Sequence, residues 1–273
     1  MYRLGWFSTG RDQAARDLLQ VVWDRIQEGF LPAEIGFVFL SRRPGESEES
    51  DRFLELCRKL GLEVFCLSAR EFQPELRRRD RETWRTLYHR EVLKLIEKEP
   101  VDLVVLAGYM WVVSAELCER LPMINLHPAL PGGPQGTWQE VIWQLLEEGA
   151  SETGVMMHLV TPELDRGPAV TFCRFPIRGG EFDALWAAFE EKRRQKGLEA
   201  IKKEEGESEP LFARIRAEGV KRELPLIVYT LKAFAEGEVA LKERQLVDGK
   251  GNPLPGPYDL TPRIEEHLRT GRW

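Results

Sequence analysis

The sequence predicts an α/β fold on a mostly parallel sheet of seven strands, and three observations predict it. Short apolar, β-branched and aromatic runs alternate with longer charged stretches whose apolar residues recur at helical spacing, the pattern of successive βαβ units. The 273 residues supply ample material for one large core. No internal repeat and no Pro/Ser/Gly linker divides the chain, so a single domain over residues 1–273 is expected.

The strands are predicted at 2–7, 35–40, 62–67, 101–106, 123–126, 154–160 and 169–175. Between them, residues 12–28 place Ala15, Leu18, Leu19, Val22 and Ile26 on one helical face, and residues 81–99 do the same with Trp84, Leu87, Tyr88, Val92, Leu95 and Ile96. Residues 190–209, EEKRRQKGLEAIKKEEGESE, mix charges with few apolar side chains, the composition of a solvated helix or mobile insertion. An apolar helix is predicted at 224–234, followed by the turn-rich tail GKGNPLPGPYDL. The chain thus reads as residues 1–122, residues 123–180, a charged insertion (183–210) and a closing helix with hairpin (211–273).

Charge and composition restrict the function. With 39 Lys and Arg against 45 Asp and Glu, the net charge of −6 excludes a protein that coats nucleic acid. No apolar run approaches the roughly 20 residues of a membrane span. The start, MYRLGWFSTG, lacks the charged, apolar and small-residue regions of a signal peptide, so a cytoplasmic protein is expected. Cys57, Cys66, Cys118 and Cys173 are widely spaced with no C-x-x-C pair, which predicts reduced, mostly buried thiols and no metal site. The expected partners are small molecules, with neither nucleic acid nor membrane among them, and the protein is expected to be a monomer or homodimer.

Two segments carry candidate chemistry. In MINLHPALPGGPQG a strand runs into a Pro/Gly loop with Asn125 and His127 two residues apart; alternate strand residues face one side, at the carboxyl end where open α/β sheets hold ligands. His127 is either a site group or a histidine bonded to a loop carbonyl. LVTPELDRGPAV places Asp165 in a second tight loop, where it is either a turn cap or a carboxylate tuning its neighbours.

N-x-H-P followed by G-x-x-x-H-x-V-T-x-E-L-D-x-G-P resembles the formyltransferase family that uses 10-formyltetrahydrofolate. LAGYMWVVS (106–114) and LVDGKGNPLPGPY (246–258) extend the resemblance over almost the whole chain. It is most similar to the branch that formylates a phosphoribosyl acceptor, glycinamide ribonucleotide, in purine biosynthesis. The resemblance implies a Rossmann-like formyltransferase fold, 10-formyltetrahydrofolate as co-substrate, no metal, and a catalytic trio of Asn125, His127 and Asp165. It also implies an acceptor- and phosphate-binding half over 1–122, a catalytic and folate half over 123–180, and a folate pocket from Met110, Trp111, Val112, Val113, Thr161, Glu163 and Leu164. The acceptor would be held by Ser8, Thr9, Gly10, Arg11 and Gln13 at a helix N-terminus, with Arg85 and Gly108.

Three positions depart from the family. The first loop, Gly10-Arg11-Asp12-Gln13, keeps one Gly and loses a second Gly with the following Ser-Asn. Trp111 stands where the family commonly has Arg. Val220 aligns with a Glu that holds the acceptor amine, with Glu218 and Glu223 close by. The alternatives are therefore formylation of a different amine, such as an amino-sugar nucleotide or a modified amino acid, and a noncatalytic folate-binding homologue.

Overall fold

The computed structural model describes residues 1–163 and 166–273. In chain order the elements are β1 (Tyr2–Ser8), α1 (Gln13–Gln27), β2 (Ala33–Leu40), α2 (Glu48–Lys59), β3 (Val64–Cys66), α3 (Pro74–Arg79), α4 (Arg81–Leu95), β4 (Leu103–Leu106), α5 (Ala115–Arg120) and β5 (Met123–His127). There follow α6 (Trp138–Glu148), β6 (Glu152–Leu159), β7 (Ala169–Pro176), α7 (Glu181–Lys196), α8 (Leu198–Glu204) and a 3-10 turn (Gly206–Ser208). The chain closes with α9 (Pro210–Ala235), β8 (Val239–Lys242), β9 (Gln245–Asp248), β10 (Tyr258–Asp259) and α10 (Thr261–Thr270).

The chain divides into two compact units that interleave in sequence: residues 1–126, 158–168 and 227–255 form the first, and 127–157, 169–226 and 256–273 the second. Interleaving explains why no linker composition marks a boundary. All seven predicted strands are present, in the order β10-β7-β6-β5-β4-β1-β2-β3. The eighth strand of this sheet, β10, pairs over only two residues, Tyr258 with Thr171 and Asp259 with Phe172, too short a run to leave a period in the sequence.

In the first unit, β1 is parallel to β2 and β4, β2 to β3, and β4 to β5. Its core gathers Phe7, Phe37, Phe39 and Tyr109 with Trp84, Tyr88 and Val92 of α4. Gly5 is required by close approach, since a Cβ there would lie 2.8 Å from the Phe37 ring, and the β1–β2 register shifts beside it. Helix α1 starts where Asp12 accepts the Ala15 amide at 3.1 Å, an N-cap contributing about 1 kcal/mol. The antiparallel pair β8 and β9 forms a separate two-stranded sheet.

In the second unit, α6 begins with a reciprocal capping box between Thr137 and Glu140 and ends on Gly149 at φ 65°. Residues 190–209 form the end of α7, α8 and the 3-10 turn, the solvated-helix alternative of the two, with most side chains at least partly exposed. Phe182, Trp186 and Phe189 of α7 and Ile201 of α8 are buried with Leu211, Phe212 and Ile215, so sparse apolar residues suffice because each falls on the packed face. Lys192 Nζ bridges Glu205 at 2.6 Å and Glu209 at 2.7 Å, and Glu209 also accepts the Phe212 amide at the start of α9. The predicted apolar helix at 224–234 is the end of the 26-residue α9. Pro225 lies inside it and removes one backbone donor without ending the helix.

All four cysteines are free thiols, with Cys57, Cys118 and Cys173 buried. Burial pushes Cys57 and Cys173 up to about 12, so they stay protonated and unreactive near neutrality. Among the described residues no helix is long and apolar enough to cross a membrane, and no cluster of His, Cys, Asp or Glu is arranged to hold a metal.

Candidate active site

The end of β1 opens into a loop whose polar groups bond mainly to one another. The Thr9 amide donates to the Gly108 carbonyl at 3.0 Å, and the Met110 amide donates to Thr9 Oγ1 at 3.0 Å. The Gly10 amide donates to Ser8 Oγ, also at 3.0 Å. Gly10 has φ 59°, and a Cβ there would sit 3.0 Å from Phe53, so this turn needs glycine. The structure therefore brings Ser8, Thr9, Gly10, Gly108 and Met110 together. Arg11 and Gln13 turn to local partners instead: Arg11 Nε lies 3.1 Å from Asp12 Oδ2, and Gln13 donates to Asp17 at 2.6 Å. Asp12 already occupies the N-terminus of α1, where an anion would otherwise meet backbone N–H groups.

On the same unit, Arg70, Arg77, Arg81 and Arg85 line a cavity of about 420 Å³ together with Trp84, Met110, Trp111 and Val112. This places Arg85, expected on the acceptor side, beside three residues expected on the folate side. The Trp84 and Trp111 rings lie 5.3 Å apart. The Arg77 guanidinium sits 5.9 Å from one ring centroid and 5.6 Å from the other, within cation–π range, and donates to the Ala69 carbonyl at 3.1 Å. Arg85 pairs with Glu82 at 3.1 Å; among the described residues Arg70, Arg77 and Arg81 have no carboxylate partner. Four guanidinium groups beside the partly exposed Trp111 suit an anionic ligand with an aromatic portion, whereas Trp84, stacked on Tyr88 at 5.2 Å, belongs to the core.

The wall is held from beneath by His89 of α4, which is fully buried. Its Nδ1 accepts the Ser114 amide at 3.2 Å, and its Nε2 lies 3.0 Å from the Tyr109 hydroxyl. Accepting at Nδ1 puts the proton of the neutral ring on Nε2, which then donates to Tyr109. Desolvation holds His89 down to about 3 against the opposing hydrogen bond with the Arg85 backbone, the Arg85 charge adding a smaller push downward. Val113, only 3% exposed, belongs to the core, so its backbone rather than its side chain is available to a ligand.

Asn125 and His127 occupy alternate positions of β5, as expected. Asn125 Nδ2 lies 3.4 Å from His158 Nε2, and His158 Nδ1 lies 3.1 Å from the Leu159 carbonyl. Since a carbonyl only accepts, His158 carries its proton on Nδ1 and offers Nε2 to the Asn125 amide. His158 was missed as a site residue, although it is the His of the G-x-x-x-H motif. His127, 3% exposed, sits 3.0 Å from the Pro134 carbonyl through Nε2, so the loop-carbonyl reading holds for this nitrogen.

In the second loop, Thr161 Oγ1 donates to the Glu163 carbonyl at 3.0 Å. Leu164 and Asp165 lie outside the described residues. In α9, Val220 is 42% exposed. The neighbouring carboxylates are engaged, Glu218 with Arg214, Lys221 and Arg222, and Glu223 with Arg216 at 2.5 Å.

Residues 63–186 match the family model described as formyl transferase. A phosphoribosylglycinamide formyltransferase of Escherichia coli (strain K12) is 30% identical over 166 residues, covering 60% of this chain and 69% of that protein. One of Dictyostelium discoideum is 28% identical over 195 residues, covering 67% and 90%. The solved phosphoribosylglycinamide formyltransferase of Coxiella burnetii has the same fold, with a TM-score of 0.64 at 23% identity over 94% of this chain and 98% of that one. The chain belongs to the formyl transferase family.

Proposed function

We propose that this protein transfers a formyl group from 10-formyltetrahydrofolate to the amine of glycinamide ribonucleotide. The observation that carries the reading is the cavity in which Met110, Trp111 and Val112 share one wall with Arg70, Arg77 and Arg81, beside Arg85 on the acceptor side. The co-substrate is an aromatic ring system ending in glutamate carboxylates, and that wall offers the Trp111 indole beside guanidinium groups. The 30% identity to a phosphoribosylglycinamide formyltransferase supports the acceptor.

In this reading the neutral amine attacks the formyl carbon carried on N10. A C–N bond forms and the carbonyl pair moves onto oxygen, giving a tetrahedral carbon with an oxyanion. Asn125 and His127, alternate residues at the carboxyl end of one strand, supply hydrogen-bond donors to that oxygen, each contributing about 3 kcal/mol in the transition state. Collapse breaks the bond to N10, while the amine's proton passes to N10 with Asp165 assisting the transfer. His158 orients the Asn125 amide by accepting from it. The protein's part is binding, orientation and proton movement.

Formylation of a different amine is the second reading. It is favoured by Asp12 occupying the α1 N-terminus and by the absence of a carboxylate at Val220. Purified protein incubated with 10-formyltetrahydrofolate and glycinamide ribonucleotide separates the two. Acceptor-dependent release of tetrahydrofolate and formation of the formylated ribonucleotide are expected. No release with this acceptor, but release with an amino-sugar nucleotide, would transfer the assignment to the second reading.

A further inference from the structure

The hairpin of β8 and β9 turns through Glu243 and Arg244, flanked by the pair Lys242 and Gln245. Both turn residues are left-handed, at φ 49° and 65°, a conformation that such two-residue turns normally give to Asn-Gly. A long charged residue held in it calls for a reason outside the turn. The reason is the guanidinium: Nη1 donates to the Cys118 carbonyl at 2.5 Å and Nη2 to the Val160 carbonyl at 2.8 Å. One planar fork thereby ties the hairpin to the C-terminal turn of α5 and to the residue just after β6.

Val160 is the neck of the 160–168 loop. Its amide donates to the Met123 carbonyl of β5 at 2.8 Å, and the Leu159 amide donates to the Pro168 carbonyl at 2.9 Å. Gly167 passes so close that a Cβ would fall 1.6 Å from the Leu159 oxygen. The loop thus leaves and returns through one point, and Arg244 holds the carbonyl at that point. Thr161 and Glu163, read as folate contacts, follow at once, and Met123 precedes Asn125 by two residues on its strand.

We propose that Arg244 is a positioning residue for the reaction, fixing the neck from which the folate-contacting loop springs; this rests on the formyl-transfer reading above. Nothing in the catalytic step requires Arg244 to touch substrate. Its effect falls on the folate side of the kinetics. A neck displaced by about 1 Å costs on the order of a hundredfold when the groups it carries are misaligned.

The test compares wild type with Arg244→Ala, Arg244→Lys and, on the same hairpin, Lys242→Ala as control. Formyl transfer is measured with each substrate varied, and amide hydrogen exchange is followed at Thr161, Glu163 and Gly167. Arg244→Ala is expected to lower kcat/KM for folate by about tenfold to hundredfold while the acceptor KM stays unchanged, and to speed exchange at those amides. Arg244→Lys, which reaches one carbonyl, should recover part of both; Lys242→Ala should match wild type. Wild-type folate kinetics and exchange in Arg244→Ala would overturn the proposal. If that variant does not fold, Arg244→Lys indistinguishable from wild type in both measurements would do so. A wild-type protein that does not formylate glycinamide ribonucleotide removes the acceptor assignment, while the exchange measurement still decides the role of Arg244.

Discussion

His89→Gln should flatten the acid side of the stability profile. His89 is fully buried and uncharged, accepting from Ser114 and placed to donate to Tyr109, and it is held down to about 3 chiefly by desolvation. In the unfolded chain it titrates near its ordinary value of about 6.5. The unfolded state therefore binds the extra proton first as pH falls, so folding loses stability below about 6.5 and continues to lose it down to about 3. Between pH 7 and pH 5 this single group removes about 2 kcal/mol, a value insensitive to the folded-state figure because pH 5 remains well above it. The assay is urea unfolding followed by tryptophan fluorescence at pH 7, 6 and 5 on both proteins. Carboxylates contribute equally to the two curves and cancel in the difference. Wild type should lose about 2 kcal/mol more than the variant over that interval; parallel profiles would refute the assignment of a buried neutral imidazole. Ser114 and Tyr109 flank the Met110–Val112 wall in sequence, so transfer activity should decline with stability below pH 5.

Other perturbations test separate parts of the molecule. His127→Ala should lower kcat by about a hundredfold or more without changing the far-UV circular dichroism, and near-wild-type turnover would remove His127 from the mechanism. Arg85→Ala should raise the acceptor KM with little change in kcat, read from initial rates; a rise confined to the folate KM would move Arg85 to the co-substrate. Lys192→Met leaves the Glu209 carboxylate, whose side chain is 1% exposed, without its cation. It should destabilise by about 2 kcal/mol in thermal unfolding, below the range for fully buried pairs because Lys192 keeps a quarter of its side chain in water.

Much of the fold is legible in the sequence because buried strands write themselves as local composition. Residues 103–106, LVVL, are buried throughout, the continuous apolar run of a parallel strand covered on both faces. The helix starts are equally local: Asp12, Ser47, Asp80, Ser114 and Thr137 all accept backbone amides at the N-cap, an interaction set by three or four neighbouring residues. The rest was not legible where the deciding contact is distant. The charged stretch 190–209 is helical and mostly solvated, as its composition says, but composition does not show that its one buried apolar residue, Ile201, meets Leu211 and Phe212. β10 exists because Thr171 and Phe172 present an edge to it.

The same division runs through the candidate site. By itself the sequence determined that Asn125 and His127 share a strand, two residues apart, and it carried the motifs of the formyl transferase family, because spacing along an extended backbone translates directly into direction in space. Only the tertiary structure decided that Arg70, Arg77, Arg81 and Arg85 converge on Trp111, that His158 meets Asn125, and that Arg244 holds a carbonyl 84 residues earlier in the chain. Those contacts depend on which helix packs over which strand and where a hairpin comes to rest. Such long-range geometry follows from burying the whole apolar surface at once, and no short window of residues contains it.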